Sequence, residues 1–291
     1  LERTLGQNLV LKAGYVGTKS TGLSIYREGN APPPGAGDVQ SRRPFQNISS
    51  MRVAQSEGFA TYHGLETSIQ HRFRAGLSLE GTYTWSRTID NQTIVDLRNL
   101  PLNKGLSNFH LAHRFMTSGV WEVPFGRGRK WGADASPVAN AILGGWQTSG
   151  ILVLRTGTPL TIGIQGDNLN TGGGYTQVPH RLREPNLPRG ERTRSKFFDT
   201  GAFERPALYT IGNAGKNILI GPGNRNLDFS ISKQFALAER KHLQFRAELF
   251  NATNHPNWGN PGATLGTAAF GTITSNENLP RVMQLGLKLV Y

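Results

Sequence analysis

The last stretch of the chain, Arg281 to Tyr291 (RVMQLGLKLVY), constrains its folding more than any other. Met283, Leu285, Leu287, Leu289 and Tyr291 fall on one parity, while Gln284, Gly286 and Lys288 occupy the other. An extended strand of this sequence is greasy on one face and polar on the other. Two settings suit such a strand. It could be an edge strand of a soluble sheet, or the insertion strand of an outer-membrane β-barrel, where one face meets lipid and a terminal ring sits at the interface.

Composition narrows the choice. Of the 291 residues, 36 are Gly, 16 are Pro and only 37% are hydrophobic, a turn-rich profile without the long apolar runs of helical bundles or parallel sheets. No segment approaches the roughly 20 apolar residues of a spanning helix, so a membrane crossing here requires strands of about 9 to 11 residues. Cysteine is absent, which removes disulfide frameworks and thiolate metal sites. The first residues, LERTLGQNLVLKAGY, show neither an initiator Met nor a signal-peptide layout, and the expectation is a fragment whose missing part lies upstream.

A net charge of +13 raises the question of phosphate binding. The basic residues are scattered, and Arg181, Arg183, Arg189, Arg192, Arg194 and Lys196 share their polar stretch with Glu184, Glu191 and Asp199. No recognition-helix or aromatic-interleaved pattern accompanies them, so no nucleic-acid partner is expected. Contact with an acidic surface glycolipid or simple solubility accounts for the excess.

Period-2 alternation predicts eight strands: 8–17, 62–74, 76–87, 113–123, 145–156, 227–235, 241–251 and 281–291. Their polar parity carries full charges, and Glu66, Arg72, Glu80, Arg114, Arg155, Arg246 and Glu248 are the candidates for a lumen-facing set; Glu122, Asp228 and Lys288 share it. So many charges must see water. Tyr83, Trp85, Trp121, Trp146 and Tyr291 lie near strand ends, as interfacial girdles require. Short connections (Ala75–Gly76, Ala236–Arg240) alternate with long polar ones, matching short periplasmic turns and long external loops. Pro124 to Gly144 is the exception, a periplasmic connection of about twenty residues with a short helix expected over Pro137 to Leu143. The longest loop runs from Gly157 to Gly223. The predicted class is therefore all-β, an antiparallel transmembrane β-barrel of which about eight strands with long external loops are present.

The segments GPGNRNLDFSISKQF (Gly221 to Phe235) and LQFRAELFNATNHPNWGNP (Leu243 to Pro261) resemble the barrel end of Oar-like TonB-dependent receptors. YHGLETSIQHRF (Tyr62 to Phe73), TYTWSRTID (Thr82 to Asp90), HRFMTSGVWEVPFGRGRKW (His113 to Trp131) and GGWQTSGILVLRTGTPLTI (Gly144 to Ile162) resemble the same family in the same order. The resemblance implies a plugged barrel of about 22 strands, energised by an inner-membrane complex through an N-terminal box. Residues 1–291 would then form the C-terminal segment of such a barrel, with plug and N-terminal strands absent. Implied partners are outer-membrane lipid, the barrel-assembly machinery, that energising complex and an unidentified ligand. The implied location is the outer membrane of a Gram-negative-type bacterium.

Chemical motifs are weak by comparison. Ser230-Ile231-Ser232-Lys233 has the S-x-x-K form of penicillin-recognising acylases, but positions three apart on a strand face opposite ways, and the S-D-N and K-T-G partners are missing. His110 and His113 have spacing suited to a helix yet sit at a loop-to-strand boundary, and they are expected to be solvated loop histidines. Asn251-Ala252-Thr253 reads as a strand end with a turn-forming Asn, and Gly126, Gly128 and Gly172 to Gly174 read as turns. No catalytic residue, metal ligand or cofactor is expected. Three readings stay open: a non-enzymatic receptor or transporter that binds or imports a ligand, a self-contained small barrel with a structural or adhesive role, and a soluble carbohydrate-binding sandwich.

Overall fold

The computed structural model describes residues 1–96, 98–173, 176–238 and 241–291. The turn expected at Ala236–Arg240 includes residues 239 and 240, and Gly174 belongs to the expected glycine turn; these three lie outside the described residues.

Among the described residues one antiparallel meander dominates. Its strands are β1 (Glu2–Leu5), β2 (Leu9–Glu28), β3 (Arg52–Arg74), β4 (Leu77–Asp90), β5 (His113–Glu122), β6 (Trp146–Arg155), β7 (Asn224–Ala238), β8 (Lys241–Phe250) and β9 (Val282–Val290). Each strand pairs with the next in the chain, and the short strand Gly105–Leu106 adds to β4. All eight expected strands are present in the expected order, and the chain is nearly all β. The sheet is not closed into a barrel. Among the described residues no helix is long and apolar enough to cross a membrane.

Over the central parts of the strands register carries the alternation from strand to strand, and the shifts fall toward strand ends, between Thr21 and Ile25 in β2, His71 and Arg74 in β3 and Ala236 and Ala238 in β7. Tyr15 lies opposite Leu65, Leu65 opposite Trp85, and Trp85 opposite His113. Further along, Phe115 opposes Leu154, Phe229 opposes Leu249, and Leu249 opposes Met283. A shift of one residue within these central parts would have mixed the two faces. The turn between β3 and β4 helps fix this register: Ala75 and Gly76 have φ of 51° and 83°, the two left-handed residues of a tight hairpin turn. Gly76 cannot be replaced freely, since a Cβ there would come to 3.0 Å from the Glu122 carbonyl oxygen.

Apart from Val10 and Ile25 on β2, the buried apolar core does not lie on the sheet. Val95, Ile162, Val178, Phe198, Phe203, Leu219 and Ile273 form it, all from the long connections at one end of the strands. Phe198, Phe203 and Phe270 meet edge to face at centroid distances between 5.2 and 6.0 Å. The longest loop is thus a folded cap with its own interior. At the other end, the helix expected over Pro137–Leu143 forms with those bounds, its N-terminus capped by the Ser136 hydroxyl accepting from the Ala139 N–H at 3.2 Å.

Candidate functional site

The sheet's two faces differ in charge. On the first, over the regularly paired parts of β2 to β9 (residues 9–21 of β2), no Asp or Glu occurs among the described residues, and the ionised side chains are Lys19, Arg87, Arg225 and Lys233. Leu285, Leu287 and Leu289 stand out from this face with more than half of their surface exposed, and so does Met283. They oppose Ala247, Phe245, Leu243 and Leu249 respectively, so β9 extends the apolar surface of β8; Tyr291 follows the strand's last paired residue. Lys233 is the instructive exception. Its ammonium donates to the Ala141 and Ile142 carbonyls at 2.6 and 3.1 Å and sits near the rings of Trp146 and Phe235, so the charge is spent on the end of the short helix.

The second face gathers the charged candidates. Glu66 opposes Gly14 and Thr84, Glu80 opposes Gln70 and Ser118, and Arg114 opposes Thr84 and Arg155. Arg246 opposes Ser232 and Gly286, and Glu248 opposes Ser230 and Gln284. Arg72 shares the parity of Glu66 and lies by the β3 turn, where its N–H bonds the Asn8 carbonyl at 2.8 Å. Arg246 and Glu248 approach to 3.5 Å, and Arg155 is held by Glu277 at 2.7 Å. The shared parity thus places these residues on one face of the sheet, where Arg246 and Glu248 approach each other.

Between β4 and β8 this face is hollowed into an open depression of about 450 Å³, where Glu80, Asp228 and Glu248 stand among Ser118, Ser149 and Ser230. Serines and glycines line the hollow together with Val120, Ile151 and Phe250, and the Ser149 and Ser230 hydroxyls bond each other across the strands at 2.7 Å. Asp228 accepts from the Asn226 amide and the Asn251 N–H, each at 2.9 Å, and so also fixes the turn after β8. Its place in the hollow was not singled out from the sequence, because its only signal there is the shared parity. The arrangement supplies hydrogen-bond acceptors and negative charge to whatever fills the space. Ser230 and Lys233 lie on opposite faces of β7, as strand geometry demanded, so the S-x-x-K resemblance to an acylase has no structural basis.

One histidine departs from expectation. His113 is exposed, bonded through Nδ1 to the Tyr83 hydroxyl at 2.9 Å, but His110 is buried and not solvated. Burial, and then the nearby Arg87 charge, hold His110 below its ordinary pKa, and its Nδ1 faces the Thr88 N–H at 3.3 Å as a structural acceptor. Asn251, with φ of 50°, turns the chain and holds the His255 and Leu279 carbonyls, which accounts for it fully.

A family model described as "Outer membrane beta barrel domain" matches residues 1–284. No curated protein matches the chain. Among solved structures, the outer membrane transporter YddB from Escherichia coli is similar over 100% of this chain at 9% identity with a TM-score of 0.48. FpvA of P. aeruginosa, solved with bound heterologous pyoverdines, is similar over 98% of it at 10% identity with a TM-score of 0.42. The chain spans 31% of the length of each.

Proposed function

The chain belongs to the outer membrane β-barrel domain family and resides in the cell outer membrane, and from this we propose that it is one segment of the wall of a larger receptor-transporter. The wall is of the TonB-dependent, Oar-like kind, non-enzymatic, and binds or imports a ligand. Its apolar face meets hydrocarbon, and its charged face lines a water-filled lumen.

The observation that carries this reading is the direction of the edge strands. Nine consecutive strands, each antiparallel to the next, leave β1 and β9 running the same way. Closing this meander on itself would need a parallel pair inside an otherwise antiparallel ladder, whereas bacterial outer-membrane barrels close with an even strand number. This supports a reading in which further strands stand between β9 and β1. A wider barrel also gives Glu80, Asp228 and Glu248 the water they require. Energy would come from an inner-membrane complex acting through a part of the protein outside this segment, and insertion would proceed through the barrel-assembly machinery. The segment resemblance running from Tyr62 to Pro261 supports the same assignment.

Cysteine cross-linking tests it, because the chain has no native Cys. Arg3→Cys is combined in turn with Leu285→Cys, Leu287→Cys and Leu289→Cys in protein recovered from outer membranes. The directly opposed pair Ala247→Cys with Leu285→Cys serves as the control. The control should oxidise readily while the edge pairs do not. Efficient disulfide formation between β1 and β9 would instead establish a self-contained small barrel and end the proposal.

A further inference from the structure

At the rim that bears the long connections, the apolar face does not run clear to solvent. Arg189, Arg192 and Phe197 of the β6 to β7 connection border it there, around a depression of about 840 Å³. Strand residues of the apolar face, Tyr83, Phe115 and Leu154, line its lower part, and Arg189, Arg192 and Arg225 line it where the strands end. No Asp or Glu belongs to the lining among the described residues. Arg155 at its border is already neutralised by Glu277 at 2.7 Å, but Arg189, Arg192 and Arg225 take part in no ion pair among the described residues.

Arg189 and Arg225 are exposed, and Arg192 is held in place. Arg192 donates from Nε to the Leu187 carbonyl at 2.7 Å and lies over the Phe197 ring at 5.3 Å. Burial, and then the like charge of Arg189, lower its pKa. Holding cations together without a carboxylate costs free energy that a bound anion removes, and the planar fork of Arg suits phosphate oxygens. A free phosphate would use the arginines but not Phe115 and Leu154. An amphiphile with a phosphorylated head and acyl chains uses both, and its chains would lie along the surface that hydrocarbon already covers.

We propose that this depression seats a phosphorylated glycolipid of the outer leaflet, its phosphate against Arg189, Arg192 and Arg225 and its acyl chains over Phe115 and Leu154. The site lies on the outside of the wall, so it holds whether or not β9 and β1 are joined by further strands. The test is titration of diphosphoryl lipid A into protein extracted in mild detergent, followed by native mass spectrometry. Replacing all three arginines (R189A, R192A, R225A) should weaken binding about tenfold or more, as loss of charge-assisted bonds to one phosphate implies. Dephosphorylated lipid A should bind wild type as weakly as the phosphorylated form binds the variant. Heat-modifiable migration shows whether the variant is folded, and if it is not, the single changes R189Q and R225Q are read in the same titration with several-fold losses expected. Wild-type affinity in folded variants would overturn the proposal. So would displacement of the lipid by excess inorganic phosphate, which would make the depression a site for free anions.

Discussion

Placing an arginine on each face of β9 separates the two solvents sharply. Leu287 is near the middle of the strand, points out of the apolar face with 68% of its surface exposed, and opposes Phe245. Gln284 is three positions away on the other face and opposes Glu248. If hydrocarbon covers the first face, Leu287→Arg costs about 2 to 4 kcal/mol at mid-membrane. That is a factor of roughly 30 to 700 in the ratio of folded to unfolded protein. Lys233 shows how this face accepts a cation, by reaching the Ala141 and Ile142 carbonyls, but position 287 has only the Phe245 ring opposite it. Gln284→Arg meets water and a carboxylate and should cost nothing measurable. The assay is heat-modifiable migration of outer-membrane fractions together with urea unfolding in lipid vesicles. Equal behaviour of the two variants, or failure of Gln284→Arg alone, would refute the assignment of faces.

Two further outcomes follow from other parts of the molecule. Lys233→Met should free the helix Pro137–Leu143, since two bonds from a buried ammonium to its last carbonyls are lost, and bonds to charged groups are worth about 1.5 to 3 kcal/mol; hydrogen exchange of those amides should accelerate by about tenfold or more, and unchanged exchange would dismiss the tie. In the external cap, burial raises the Asp167 pKa, but the Gln177 amide and the N–H groups of Gly172, Thr171 and Gly173 outweigh it and leave it below the usual value. A depressed folded pKa means that the carboxylate's stabilisation is complete above the unfolded value near pH 4 and is lost as pH falls through the folded one. Protease protection of this loop should therefore decline on acidification below about pH 4, and Asp167→Asn should flatten that decline; an identical pH profile in the variant would count against the account.

The wall was legible in the sequence because its physics is local. Alternation of Leu243, Phe245, Ala247 and Leu249 against Gln244, Arg246 and Glu248 needs only period 2 to be read, and the same parity grouped the charged candidates. Where that contrast fades, reading stopped short. β1 has the sequence ERTL, too short and too mixed to alternate, yet backbone pairing with Leu9–Lys12 makes it a strand, and it changes the count from eight to nine. The hairpin of β2 and β3 continues well past Gly17 and Tyr62, through pairs such as Tyr26 with Ala54 and Glu28 with Arg52, because ladder bonds persist where side chains no longer sort by face. His110 was misjudged for a related reason: its burial comes from the packing of a connection, which no periodicity records. The arginines of the rim depression are scattered over residues 189 to 225 and converge only through the folding of the longest loop.

That loop explains why one chain can serve both water and lipid. A soluble sheet protein hides its apolar strand face under a second layer, but here the strands expose Leu285 and Leu287 while Phe198, Val178 and Ile162 are buried among the connections. Fully burying an aliphatic or aromatic side chain is worth about 1.5 to 3 kcal/mol, so the cap holds its shape in water by the ordinary means of a small domain. The wall receives that contribution only when lipid supplies the second layer. The two parts are joined where β4 ends, by the buried pair of Asp90 with Lys216, whose ammonium is fully enclosed and would be left uncompensated if Asp90 were replaced by an apolar residue. Cap and wall are thereby kept in one arrangement even though different solvents stabilise them, and the rim depression, which draws its arginines from the cap and its apolar floor from the wall, depends on that arrangement being kept.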